Sequence, residues 1–114
     1  MTAARTQDQH LWPARHDSGI HNASLPPLGL RLRLKADVDI SSFPPSGQVI
    51  LTALKRYGMF VADTGPSWAL SGTHDERWDN DALALLSTIP GRAFEAVDES
   101  GLMIDANSGQ ALQP

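Results

Sequence analysis

The chain has 114 residues, a formal net charge of -4 and no cysteine. Nine Lys and Arg against thirteen Asp and Glu leave no concentrated basic surface for phosphates, which argues against nucleic acid as a partner. The missing thiols exclude a disulfide framework and a thiolate metal site, and leave the redox compartment open.

A chain of this length supports one domain, burying roughly two-thirds of the surface its unfolded form exposes. No run reaches the roughly 18 apolar residues of a membrane span, and no apolar signal-peptide core opens the chain. The expectation is a soluble protein without a membrane partner and not exported by a signal of its own.

Residues 1–24 are polar, carry Pro, Asn, Asp and Gly, and show no sustained period. They are expected to form a loose N-terminal segment, with His10–Arg15 as an edge strand in which Pro13 is tolerated because an edge can spare an N–H. A single domain over residues 25–105 and a fading tail over 106–114 complete the expected organisation.

The organising stretch is Leu28–Gly65. From Leu30 to Ile40 the apolar residues stand at every second position, with Arg31, Arg33, Lys35, Asp37 and Asp39 between them. That alternation predicts a half-buried strand over Leu30–Ala36 with one apolar and one charged face. Pro44 and Pro45 then suit the first turn of a helix. Val49, Ile50, Ala53, Leu54 and Tyr57 supply its apolar stripe, Lys55 and Arg56 complement its C-terminal end, and Gly58 follows as the terminating residue.

Met59–Ala62 reads as a second strand, closed by the turn residues Asp63-Thr64-Gly65-Pro66. The connection permits either a parallel crossover or an antiparallel sheet flanked by the helix. Trp68–Ser71 is a further short strand, pairing with Met59–Ala62 as a hairpin. A second helix starts at Asp79 or Asn80, buries Ala82, Leu83, Leu86 and Ile89, and stops at Pro90-Gly91. Ala93–Val97 is the last strand. The fold class is α+β: a small mixed or antiparallel sheet with two short helices, or an incomplete part of a larger β-rich fold.

Several runs are specific in wording: LPPLGLRLRLKADVDIS from Leu25, ILTALKRYGMFVADTG from Ile50, W-x-x-S-G at Trp68–Gly72, D-x-R-W-D-N-D at Asp75–Asp81, and WPARH at Trp12–His16. Over most of Leu11–Asp105 the chain resembles the C-terminal part of a family of longer bacterial proteins. The resemblance implies exported, extracellular, β-rich proteins that bind or act on polysaccharide, with a substantial region upstream of WPARH. Strands that pair with Leu30–Ala36 would then be missing here, and an exposed edge, self-association or pairing with that upstream region would follow.

Three function classes emerge. In the first, a glycan-associated module binds polysaccharide by stacking sugar rings on Trp68 and Trp78, with Arg31, Arg33 and His16 supplying polar contacts. In the second, a polysaccharide hydrolase or lyase uses loop carboxylates. Asp63 and Asp75 are the pair assigned, since such chemistry needs two carboxyls about 5 to 10 Å apart in different environments.

The bland reading of those carboxylates is structural, with Asp63 opening a turn, and Asp79 and Asp81 serving a helix start. The third class is accordingly a non-catalytic structural or interaction domain. His10 and His16, six apart, would share an unbroken strand face and could be joined there by His21 and His74 around a metal, but Pro13 interrupts that spacing. No metal or cofactor is assigned. Trp12 suits either a stacking platform or a core anchor, while Tyr57 and Phe60 are assigned to the core. Asn22-Ala-Ser24 matches a glycosylation sequon short enough to arise by chance.

Overall fold

The structure is a computed structural model that describes residues 1–113. The fold is α+β. Five strands, β1 (Thr2–Ala3), β2 (Arg31–Leu34), β3 (Met59–Phe60), β4 (Asp63–Thr64) and β5 (Phe94–Val97), join two helices, α1 (Pro45–Arg56) and α2 (Asn80–Ala84). The strands form a three-stranded sheet in the order β3-β2-β5 and a separate pair β1-β4. Both partners of β2 are antiparallel to it, so the strand-helix-strand unit is no parallel crossover.

β2 holds the expected alternation. Leu34 is completely buried, Leu32 is half-buried, and Arg31 and Arg33 face the other way. α1 closes over the Leu34 end, and Leu34, Leu51 and Leu54 form the core cluster, with Phe43, Met59, Leu86 and Phe94 packed around it. α1 starts with Pro44 as its N-cap and Pro45 in its first turn, and it ends in Lys55-Arg56 with Gly58 just beyond at φ +76°. A Cβ at Gly58 would lie 2.5 Å from the Leu32 carbonyl oxygen, so only glycine lets the chain turn back onto β2 there.

The buried residues of α1 are Gly47, Leu51 and Leu54, with Ile50 packed against the core, so Leu54 and Ile50 of the expected stripe turn inward and Val49 and Tyr57 do not. Val49 and Tyr57 are each 66% exposed and Phe60 38%, which corrects the assignment of Tyr57 and Phe60 to the core. Tyr57 has already left the helix as its C-cap. Phe60 lies on the charged side of the sheet, 5.9 Å beneath the Arg31 guanidinium. α2 begins as expected, the Asp79 carboxylate accepting the Asp81 and Ala82 N–H groups at 2.9 and 3.3 Å. It tightens after Ala84 into a 3-10 turn over Leu85–Thr88.

The expected hairpin is not formed. Trp68 has φ +60°, a left-handed conformation in which a strand cannot continue. The backbone partners go to the N-terminal segment instead: the Thr2 N–H donates to the Ala69 carbonyl at 2.9 Å and the Trp68 N–H to the Thr2 carbonyl at 3.0 Å. β4 lies parallel to β1, with Thr2 opposite Asp63 and Ala3 opposite Thr64.

Residues 1–24, expected to be loose, are therefore tied down. Thr6 is 1% exposed, its hydroxyl donating to the Ser18 carbonyl at 2.6 Å and bonded to the Thr64 hydroxyl at 2.8 Å. His10–Arg15 is not an edge strand. Single bridges pair Gln7 with Ile20 and His10 with Leu28, and the chain turns between them, Ala14 N–H donating to the Leu11 carbonyl at 2.9 Å. Gly29 makes this close approach sterically feasible, since a Cβ there would lie 1.9 Å from the Leu11 oxygen.

The tail folds back as well, Met103 bridging to Ala111 and the Arg15 guanidinium donating to the Asn107 carbonyl at 3.0 Å. Pro114, the end of the expected tail, lies outside the described residues. None of the described helices is long and apolar enough to cross a membrane.

Because Leu34 has no exposed surface, Leu34→Ala removes buried methyl groups at the sheet-helix contact and is expected to cost about 3 kcal/mol of unfolding free energy. Leu102→Ala, at a side chain 56% exposed, is expected to stay within about 0.5 kcal/mol. Urea unfolding followed by circular dichroism measures both, and equal midpoints for the two variants would contradict the core described here.

Candidate functional site

The apolar face of the three-stranded sheet is longer than α1 can cover. Beyond Leu34 the row continues through Leu32 and Leu30, and over these residues lies a half-open hollow of about 300 Å³. Phe94 on β5, Val61 after β3 and Gly91 help to line it, and the Trp68 indole stands at its side. The two rings are 5.2 Å apart between centroids and inclined at 37°, within the range of favourable aromatic pairs.

Gly91 is what admits the indole, since a Cβ at that position would come within 2.7 Å of the Trp68 ring. Trp68 nevertheless remains 47% exposed. An aromatic residue in a left-handed conformation costs of order 1 to 3 kcal/mol, and such outliers cluster at ligand sites. No acidic or basic side chain lines the hollow, and Ser67 is its polar contributor.

The charged face is organised differently. The Arg33 guanidinium grips one oxygen of Glu95 at 2.7 and 3.0 Å, and Arg31 donates to Glu99 at 2.9 Å and to the Tyr57 carbonyl. The Lys35 ammonium donates to the Arg92 carbonyl at 2.9 Å. Each cation is thus committed within the fold. Trp68 stands with Phe94 on the Leu34 side of the sheet, so the structure does not bring it together with Arg31 and Arg33.

Trp78 is 38% exposed in the loop before α2. His16 is also exposed. Trp12, with Pro13, Phe60, Leu102 and Leu112, surrounds a second apolar hollow of about 390 Å³.

Asp63 lies in β4 and its carboxylate accepts the N–H of the adjacent Thr64 at 2.8 Å. Asp75 is held by Arg77, whose Nε and Nη2 donate at 2.8 and 2.6 Å and whose backbone N–H donates at 2.9 Å. The side-chain bond from Arg77, followed by the backbone one, holds the Asp75 carboxyl below its ordinary range. Asp75 therefore stays ionised, the opposite of what a general acid needs.

The histidines do not gather. His10 Nδ1 lies 2.6 Å from Asp17 and His21 Nδ1 3.1 Å from Asp8, and among the described residues no three His, Asp or Glu side chains are grouped to hold a metal ion. The His10–Asp17 pair was not signalled by spacing along the chain. The Asp17 carboxylate can only accept, so Nδ1 carries the proton, and the buried Nε2 has no hydrogen-bond partner among the described residues.

No family model, no curated protein and no solved structure matches the chain.

The Asp75–Arg77 contact has a pH signature. A depressed carboxyl makes a contribution that is present above its unfolded-state pKa and is lost as pH falls through the folded one. A carbon-detected NMR titration is expected to place the Asp75 midpoint below the ordinary 3.8, and Arg77→Ala to return it toward that value. A midpoint unmoved by Arg77→Ala would show that the pair is not formed.

Proposed function

We propose that the chain is a non-catalytic carbohydrate-binding module, part of a longer glycan-associated protein, in which Trp68 is the stacking platform. The observation that carries this reading is the half-exposed indole, fixed at φ +60° against Phe94 beside a mainly apolar hollow. A pyranose presents a C–H face that stacks on such a ring, and its polar rim stays toward water. The hollow next to the ring suits an uncharged apolar substituent.

Hydrolysis or lyase chemistry through Asp63 and Asp75 has less support. Asp75 is locked as an ion-paired carboxylate, and Asp63 accepts a backbone N–H beside it in the chain. Arg31 and Arg33, on the opposite face and bonded to Glu99 and Glu95, act in this reading as parts of the framework and not as ligand contacts.

The test is retention of the purified chain in affinity electrophoresis gels containing one polysaccharide each, across neutral and acetylated glycans. Retention is expected with at least one of them, and Trp68→Ala is expected to weaken it about tenfold, the equivalent of ~1.4 kcal/mol. Arg33→Ala, remote from the indole, is expected to leave retention within about twofold. If the wild-type chain runs unretarded through the whole panel, or Trp68→Ala binds as well as wild type, the reading fails.

A further inference from the structure

The outer edge of β5 is the second unfinished feature. Lys35 N–H donates to the Ala93 carbonyl at 3.0 Å, so the antiparallel alternation turns the N–H and C=O groups of Glu95 and Val97 toward β2. Those of Phe94 and Ala96 turn away. The Phe94 N–H is taken by the Gly91 carbonyl. That leaves the Phe94 carbonyl and both backbone groups of Ala96 and of Asp98 without a protein partner among the described residues.

We propose that this edge pairs with the same edge of a second copy of the chain, antiparallel across a two-fold axis at Ala96, giving a continuous sheet β3-β2-β5-β5-β2-β3. The argument is self-complementarity. In that register the Ala96 N–H of each copy meets the Ala96 carbonyl of the other, and each Asp98 N–H meets the other copy's Phe94 carbonyl.

The two donors left over on one strand thus meet two of the three acceptors of its copy. The Phe94 N–H is already satisfied by the Gly91 carbonyl, so the Asp98 carbonyl at each end of the ladder stays toward water. A shift of register would leave more of these groups unmatched.

The side chains agree with this register. Ala96 is exposed and small and sits at the axis. Glu95 falls opposite Val97 of the other copy and Phe94 opposite Asp98, so no like charges oppose each other directly. No lysine and no proline stands within Phe94–Val97 to block the edge, and the one charged side chain, Glu95, is engaged by Arg33. The contact is isologous and closes on itself, which limits assembly to a dimer.

Two four-residue edges bury less than a standard interface, so dissociation in the range of about 10 µM to 1 mM is expected. Sedimentation equilibrium of the whole chain across that range tests it, with the mean mass rising from 12.3 kDa toward twice that value. Ala96→Pro removes an N–H that faces away from β2, and it is expected to keep the far-ultraviolet circular dichroism while weakening the dimer about tenfold or more. Should that variant fail to fold, Ala96→Lys sets like charges face to face across the axis and is expected to weaken the dimer likewise. A chain that stays at monomer mass throughout, or a dimer whose dissociation neither substitution changes, overturns the proposal.

Discussion

The fold depends on the burial of one side of β2, and Leu34 is where that burial is complete. Its side chain lies between the sheet and α1, against Leu51 and Leu54, and burying such a side chain is worth roughly 2 kcal/mol before cavity effects are added. The devices around α1 serve this contact. Pro44-Pro45 starts the helix, Gly58 turns the chain back beneath the Leu32 carbonyl, and Lys55 donates to the Ala36 carbonyl at 2.9 Å, fixing the helix end to the segment leaving β2. A helix of twelve residues cannot also cover Leu30 and Leu32. The hollow beside Trp68 exists because the apolar row outruns its cover.

The N-terminal segment supplies part of that missing cover. β1 is too short to be stable by itself, since isolated two-stranded pairings are marginal in water. What holds it is a set of specific approaches: the Thr6 hydroxyl between Ser18 and Thr64, and the tight glycine contacts at Gly19 and Gly29, where a Cβ would lie within about 2 Å of a carbonyl oxygen. The same strap takes the Trp68 N–H and so stabilises the left-handed backbone that presents the indole. Framework and candidate site thus share hydrogen bonds.

Regular elements with a local code were legible in the sequence. The alternation around Arg31–Leu34, the Pro-Pro helix start, Gly58, and the Asp79 cap are each written within a few residues and are each present. The readings that missed depended on distant partners. Nothing local says that Thr2 takes the backbone groups near Trp68, so Trp68–Ser71 looked like a strand. Within α1, Val49 and Tyr57 lie at the same helical spacing as Leu54, and only the position of β2 decides that Leu51 turns inward and they do not. Arg31 and Arg33 looked free along the chain, whereas Glu99 and Glu95 reach them from the far end of the domain. Asp75–Arg77 and His10–Asp17 needed side-chain directions that spacing does not encode.

On the two proposed readings, β5 is where they meet. Phe94 sends its ring into the hollow under Trp68 and turns its carbonyl to the open edge, so one residue belongs to both. A strand of four residues at a sheet margin is among the parts of a fold that open most easily. A ligand against the Phe94 ring and a second strand against the Phe94 carbonyl would each order that strand, and whichever came first would lower the ordering cost of the other. Thermodynamic linkage makes such coupling reciprocal, whatever its size. The side chains that line the hollow carry no charge, so that coupling runs through packing and backbone order.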